Sequence, residues 1–207
     1  MKRVTRVLVA ALFLVPLAVL AQPRAGDDYI ELRVPQSTEV APGKIEVVEF
    51  FWFGCPHCYN LEPLLEQWVK RLPADVQFRR IPAVFNPRWG RDAAIFYAME
   101  TLGVEAKLHR QLFDSIHRDH LNTEPGEAFN QWLAKQGLDP RKFEETVKSF
   151  SVQSKVRRAA QLSVSYGIDG VPALAVHGRY TVPASQNMLG ITDYLIGVVR
   201  RSGAAAK

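Results

Sequence analysis

Cys55 and Cys58 are the only two cysteines in the 207 residues, and only Pro56 and His57 separate them. That spacing lets the two sulfurs meet in a small ring, so the pair can cycle between dithiol and disulfide. A structural staple is the poorer reading, because so short a loop removes little chain entropy when it closes. His57 favours reactivity, since an imidazolium or ring N–H beside Cys55 stabilises the thiolate by charge or hydrogen bond. Whatever stabilises the thiolate also stabilises the reduced pair and makes the disulfide more oxidising. One pKa unit is worth roughly 1.4 kcal/mol, or about 30 mV for a two-electron couple.

Two elements must position that pair. The apolar run from Ile45 to Phe53 reads as a strand buried on both faces, because a strand with one wet face would alternate. Beyond the cysteines, Leu61, Leu64, Leu65, Trp68, Val69 and Leu72 recur at spacings of three and four, which predicts a helix from about Pro56 with one buried stripe. Pro56 suits the first helical position. Cys55 then lies at or just before the helix start, where orphan N–H groups and the helix dipole favour its thiolate, and Cys58 lies one turn further in. Pro63 falls inside this helix and is expected to kink it.

The rest of the chain supports an exported protein of one large domain. Lys2, Arg3 and Arg6 precede the uncharged run Val7–Leu20, and Val19-Leu20-Ala21 offers small or modest residues before a cut, so residues 1–21 read as a cleaved secretory signal peptide directing the chain to the periplasm. The leader carries three of the 26 basic residues and none of the 21 acidic ones, so the mature chain is close to neutral. No basic stripe interleaved with aromatics appears, and Arg79-Arg80, Arg157-Arg158 and Arg200-Arg201 read as solvated pairs, which argues against nucleic acid.

Residues 22–43 form an extended lead-in, with an edge strand within Tyr29–Val34, and Val76–Ile81 reads as a second sheet strand ending at Pro82. From Trp89 to Gly167 the spacing predicts five helices, over 89–102, 105–118, 126–136, 140–149 and 151–165. Their boundaries are marked by Gly103, Gly137 and Gly167 and by the Asp139-Pro140 start. Strand character returns over Val171–His177 and Tyr180–Val182 with Gly178 at a hairpin turn, and Gln186–Arg200 forms the last helix. Residues 202–207 read as a disordered tail.

The Phe-rich strand, the whole Cys-Pro-His-Cys motif and Tyr59 resemble the DsbA family of thioredoxin-fold disulfide oxidoreductases, and Phe-Trp-Phe-Gly before Cys55 falls in a range that varies among its members. The resemblance covers nearly the whole mature chain. It implies an α/β fold, a thioredoxin-like core of mixed sheet and helices interrupted by an all-helical insertion, divided as 22–85 (core), 86–166 (insertion) and 167–201 (core).

Pro172 by itself is an ordinary strand-entry proline. The resemblance makes Gly170-Val171-Pro172-Ala173 a loop with a cis Val171–Pro172 bond facing Cys55, whose Val171 backbone pairs with an extended substrate segment. Glu49, six residues before Cys55, is either a rim carboxylate or a buried acid of raised pKa near Cys58, able to exchange a proton when that thiol leaves. An acid at this position fits the family. Glu62 also matches a family acid and reads as solvated, with a secondary electrostatic role.

These residues point to a protein dithiol oxidase that donates its disulfide to unfolded or newly exported proteins with free cysteines, through a mixed disulfide on Cys55. No metal or organic cofactor is needed, a monomer is the simplest state, and the resemblance implies reoxidation by a membrane partner of the DsbB type. A reductase or isomerase on the same fold is the nearest rival; His57 and the lack of a visible N-terminal dimerisation domain argue against it. A carrier holding copper or zinc on Cys55 and Cys58 belongs to another class and would need more ligands. His117 and His120 have a spacing that metal sites use, yet read as a solvated helix end, and His109 and His177 as surface or strand residues. Phe51, Trp52 or Phe53 is a candidate for an apolar patch beside Cys55.

Overall fold

The computed structural model describes residues 22–203; the expected signal peptide over residues 1–21 and the last four residues lie outside the described residues. A five-stranded mixed sheet organises the chain, with strands β1 (Ile30–Glu31), β2 (Ile45–Phe51), β3 (Val76–Pro82), β4 (Ala173–Val176) and β5 (Tyr180–Pro183) in the order β1-β5-β4-β2-β3. All seven residues of β2 are buried, Glu46 and Glu49 among them, as befits a strand covered on both faces whose other five residues are apolar. It runs parallel to β3 and antiparallel to β4, with Glu49 opposite Arg80 and Leu174. The parallel pairing needs a crossover, and helix α1 (Pro56–Val69) is that connection.

One face of the sheet packs Ile45, Val47, Leu174 and Val176 against Leu65 and Trp68 of α1 and against α7 (Met188–Arg201). The other core contains Val48, Phe50 and Ala175, and joins the five helices between β3 and β4: α2 (Pro87–Thr101), α3 (Glu105–His117), α4 (Glu127–Lys135), α5 (Pro140–Lys148) and α6 (Phe150–Ser165). These match the five runs read from spacing, to within two residues at each end. Asn86, Asp139 and Ser149 cap α2, α5 and α6 through their side-chain oxygens, and Gly103, Gly137 and Gly167 follow helix ends with positive φ. Pro63 lies within α1, which continues through it to Val69. No helix among the described residues is long and apolar enough to cross a membrane.

Candidate active site around Cys55 and Cys58

The end of β2 and the start of α1 set the two sulfurs. Cys55 is the N-cap residue of α1, its Sγ accepting the Cys58 N–H at 3.4 Å, with Pro56 in the first turn where no N–H is needed. Gly54 leaves the room: a Cβ there would meet the Trp52 ring at 2.3 Å. Cys55 is 6% exposed, Cys58 is fully buried, and both are free thiols in this structure. The Cys55 Sγ also lies 3.4 Å from the Val171 carbonyl oxygen, and the Val171–Pro172 bond is cis. The chain therefore brings residues 55, 58, 171 and 172 into one place from two ends of the fold.

The two thiols are pulled in opposite directions. The Cys58 thiol's hydrogen bond to Cys55 is the largest influence holding the Cys55 thiol down, to about 6, against burial and with help from the backbone N–H groups of Cys58 and His57 and the His57 charge. Burial, then the hydrogen bond to Cys55 and that sulfur's negative charge, pushes Cys58 far up. Only the outer sulfur is a thiolate near neutral pH.

Beneath Cys58 lies a buried charge cluster. Glu49 and Glu62 are both fully buried, and Arg80 bridges them, with Nε 3.0 Å from Glu49 Oε2 and Nη2 3.1 Å from Glu62 Oε2. Burial, then the Glu62 charge, raises Glu49 to about 7 in spite of Arg80. Burial also opposes ionisation of Glu62, but hydrogen bonds and charge from His109 and Arg80 outweigh it and hold that carboxyl below its ordinary range.

Several expectations are corrected here, the solvated Arg79-Arg80 pair among them, since both arginines pair with fully buried carboxylates. Glu62 is not solvated, because Arg80 arrives from β3 in parallel register with β2 and completes the ion pair inside. His109 is neither a surface nor a strand residue: it lies on the inner face of α3, 4% exposed, with Nε2 3.2 Å from Glu62.

His117 departs from the solvated reading as well. Its Nε2 is 2.7 Å from the Phe53 carbonyl and its ring stacks on Tyr59 at 4.7 Å, whereas His120 stays exposed. Phe51 and Phe53 are core residues packed against Phe113 and do not form a surface patch. Trp52 is the half-buried one. It stacks on Trp89 at 4.4 Å, Trp89 meets the exposed Phe85, and the Trp52 N–H donates to Asp92 at 2.7 Å. A cavity of about 500 Å³ opens beside His57 and Pro172, lined by Leu61, Leu64 and Met188. A larger one of about 690 Å³ lies between Asn130 of α4 and the charged residues Arg141, Glu144 and Lys148 of α5, and includes neither cysteine.

Residues 46–195 match the family of DSBA-like thioredoxin domains. The chain is 42% identical over 182 residues to the thiol:disulfide interchange protein DsbA of Azotobacter vinelandii, covering 85% of this chain and 84% of that one. It is 39% identical over 188 residues to the protein of the same name from Pseudomonas aeruginosa, covering 88% and 87%. Among solved structures, it superposes on the oxidoreductase DsbA of Xylella fastidiosa with a TM-score of 0.82 at 31% identity, covering 87% of this chain and all of that one. On the Pseudomonas aeruginosa DsbA crystal structure the TM-score is 0.76 at 36% identity, covering 89% and 97%.

Proposed function

We propose a direction, a set of residue roles and a setting for this chemistry from one premise: the chain belongs to the DsbA family of thiol:disulfide oxidoreductases. It is a dithiol oxidase that gives the Cys55–Cys58 disulfide to substrate proteins. A substrate thiolate attacks the Cys55 sulfur, the Cys55–Cys58 bond breaks, and Cys58 leaves with the bonding pair and takes a proton. The substrate's second thiolate then attacks its own bridged sulfur and Cys55 departs as a thiolate. The substrate loses two electrons and the enzyme pair gains them.

The observation that carries the oxidising direction is the asymmetry of the two sulfurs: Cys55 sits on the α1 N-terminus with its thiol held to about 6, a good leaving group, whereas Cys58 is buried and pushed up. His57 assists that departure, and Pro56 starts the helix. Glu49, raised to about 7, is the proton donor to Cys58 as it leaves and the acceptor on the way back, a role its effect on Cys58 supports. Glu62 positions Arg80 for Glu49. Val171 and Pro172 hold an extended substrate strand, and the apolar cavity beside them takes a side chain of that segment.

The same reading places the chain in the periplasm as a monomer, after loss of residues 1–21, with the thioredoxin core at 22–85 and 167–201 around the insertion at 86–166. A membrane partner of the DsbB type restores the disulfide.

Equilibration of the purified protein with glutathione at pH 7 tests the direction. The pair is expected to be more oxidising than glutathione, and a reducing value would reassign the chain as a reductase. The same titration across pH carries a sharper signature. Below about pH 6 reduction takes up two protons and the potential falls by about 59 mV per pH unit; above it Cys55 stays a thiolate and the slope halves to about 30 mV. A single steep slope through pH 8 would make Cys55 an ordinary thiol. In H57A the break moves to higher pH but stays below the free thiol's value, because the Cys58 hydrogen bond, the larger influence, remains.

A further inference from the structure

No step of the exchange above uses His109, yet it is buried with a carboxylate beside each ring nitrogen. Its Nε2 lies 3.2 Å from Glu62 Oε1 and its Nδ1 3.0 Å from Glu105 Oε1, the latter in ion-pair contact off the hydrogen-bond axis. The rings of Phe51, Phe53 and Phe113 stand 5.1 to 5.3 Å away and exclude water. A neutral imidazole offers one N–H and one lone pair. With a carboxylate oxygen beside each nitrogen, a neutral ring would set its lone pair near an oxygen, whereas an imidazolium donates to Glu62 and presents positive charge to both acids. Burial alone would push this histidine down, but Glu105 and Glu62 outweigh it and hold it above the ordinary range.

The groups facing one another are Glu49 from β2, Glu62 from α1, Arg80 from β3 and Glu105 and His109 from α3; α2 contributes the Phe96 ring. Three carboxylates against two cations leave one excess negative charge, and one proton removes it. Glu62 has both cations beside it. Glu105 has His109 and some solvent, at 22% exposure. Glu49 has Arg80 alone, is fully buried, and keeps Oε1 without a hydrogen-bond partner. The shared proton therefore falls to Glu49.

We propose that His109 is a positioning residue for thiol–disulfide exchange: its charge satisfies Glu62 and Glu105, and so leaves Glu49 as the carboxyl that trades a proton with Cys58. The proposal rests on the role given to Glu49 above.

The step that reads it is closure of the mixed disulfide between Cys55 and glutathione, formed from reduced enzyme and oxidised glutathione. There the Cys58 thiol passes its proton to Glu49, Cys58 attacks the Cys55 sulfur, and glutathione leaves as a thiolate. Acid-quench rates between pH 5.5 and 9 are expected to inflect near 7 in the unmodified protein. In H109Q the inflection moves up by about one pH unit, because a buried positive charge is gone, and H109K moves it back. A merely structural histidine would scale the rate at every pH and leave the inflection in place, which would overturn the proposal.

E49Q separates the two readings. An inflection that survives in E49Q removes Glu49 as the acceptor and the proposal with it; E49Q flat and H109Q unshifted removes His109 alone. Should H109Q fail to fold, the ¹⁵N spectrum of the unmodified protein decides: both His109 ring nitrogens protonated at pH 7 is expected, and a neutral tautomer there overturns the inference.

Discussion

C55S is expected to reduce oxidation of an unfolded two-cysteine substrate to the rate of buffer alone, a complete loss, while the protein still folds. Nothing else in the chain can take over, since Cys58 is the one cysteine left, is fully buried, and has its thiol pushed up by burial itself. C58S behaves differently: Cys55 keeps its place on α1 and still forms adducts with oxidised glutathione, but no second sulfur resolves them, so they persist and are visible by mass spectrometry. C58A, unlike C58S, leaves no side-chain donor for Cys55, and there the Cys55 pKa rises in consequence.

C55S carries a second, thermodynamic signature. In the reduced wild type the folded-state Cys55 pKa, about 6, lies below the ordinary thiol value of 9.0. Its contribution to stability is therefore fully present above that upper value and is lost as pH falls toward 6. The serine variant lacks this term, so its stability relative to reduced wild type declines as pH rises through that window. Denaturant titrations at pH 6 and pH 9 measure it. Substrate oxidation surviving in C55S would place the chemistry elsewhere.

The covalent half of the site is legible in the chain because it is local. Cys55, Pro56, His57 and Cys58 are consecutive, the run before them is apolar but for Glu46 and Glu49 and does not alternate, and the stripe after them has helical spacing. The five helices between the strands are legible for a related reason: caps such as Asp139 and terminating glycines such as Gly137 act within a few residues.

The buried cluster is long-range, and that is where the sequence reading falls short. Glu62 looks solvated until Arg80 is known to stand opposite Glu49, a register that only the parallel pairing of β2 and β3 creates. A weaker signal was present. Glu62 lies four residues after Cys58 and three before Leu65, and His109 shares its helical face with Leu112 and Phe113, so both fall on buried stripes. A charged residue on such a stripe is a sign of an internal partner rather than of solvent. Glu46, also fully buried and paired with Arg79 on β3, repeats the pattern three residues earlier on β2.

Arg80 is where this cluster most affects stability. R80A removes the cation from between two fully buried carboxylates, and the cost is expected to be about 3–5 kcal/mol, the range for leaving a buried charge without its partner. Its pH dependence distinguishes charge from packing. Without Arg80 the Glu49 carboxyl, already raised, is raised further and Glu62 loses one of the two cations that hold it down, so the folded variant binds more protons than folded wild type and its stability falls more steeply as pH rises. The deficit against wild type should therefore be smaller at pH 5 than at pH 8 in denaturant titrations. R80K retains a charge but not the planar fork that reaches both acids, and is expected to fall between the two. A deficit equal at both pH values would mean that the guanidinium stem, packed over the Phe78 ring at 5.2 Å, rather than the ion pairs, is what the variant loses.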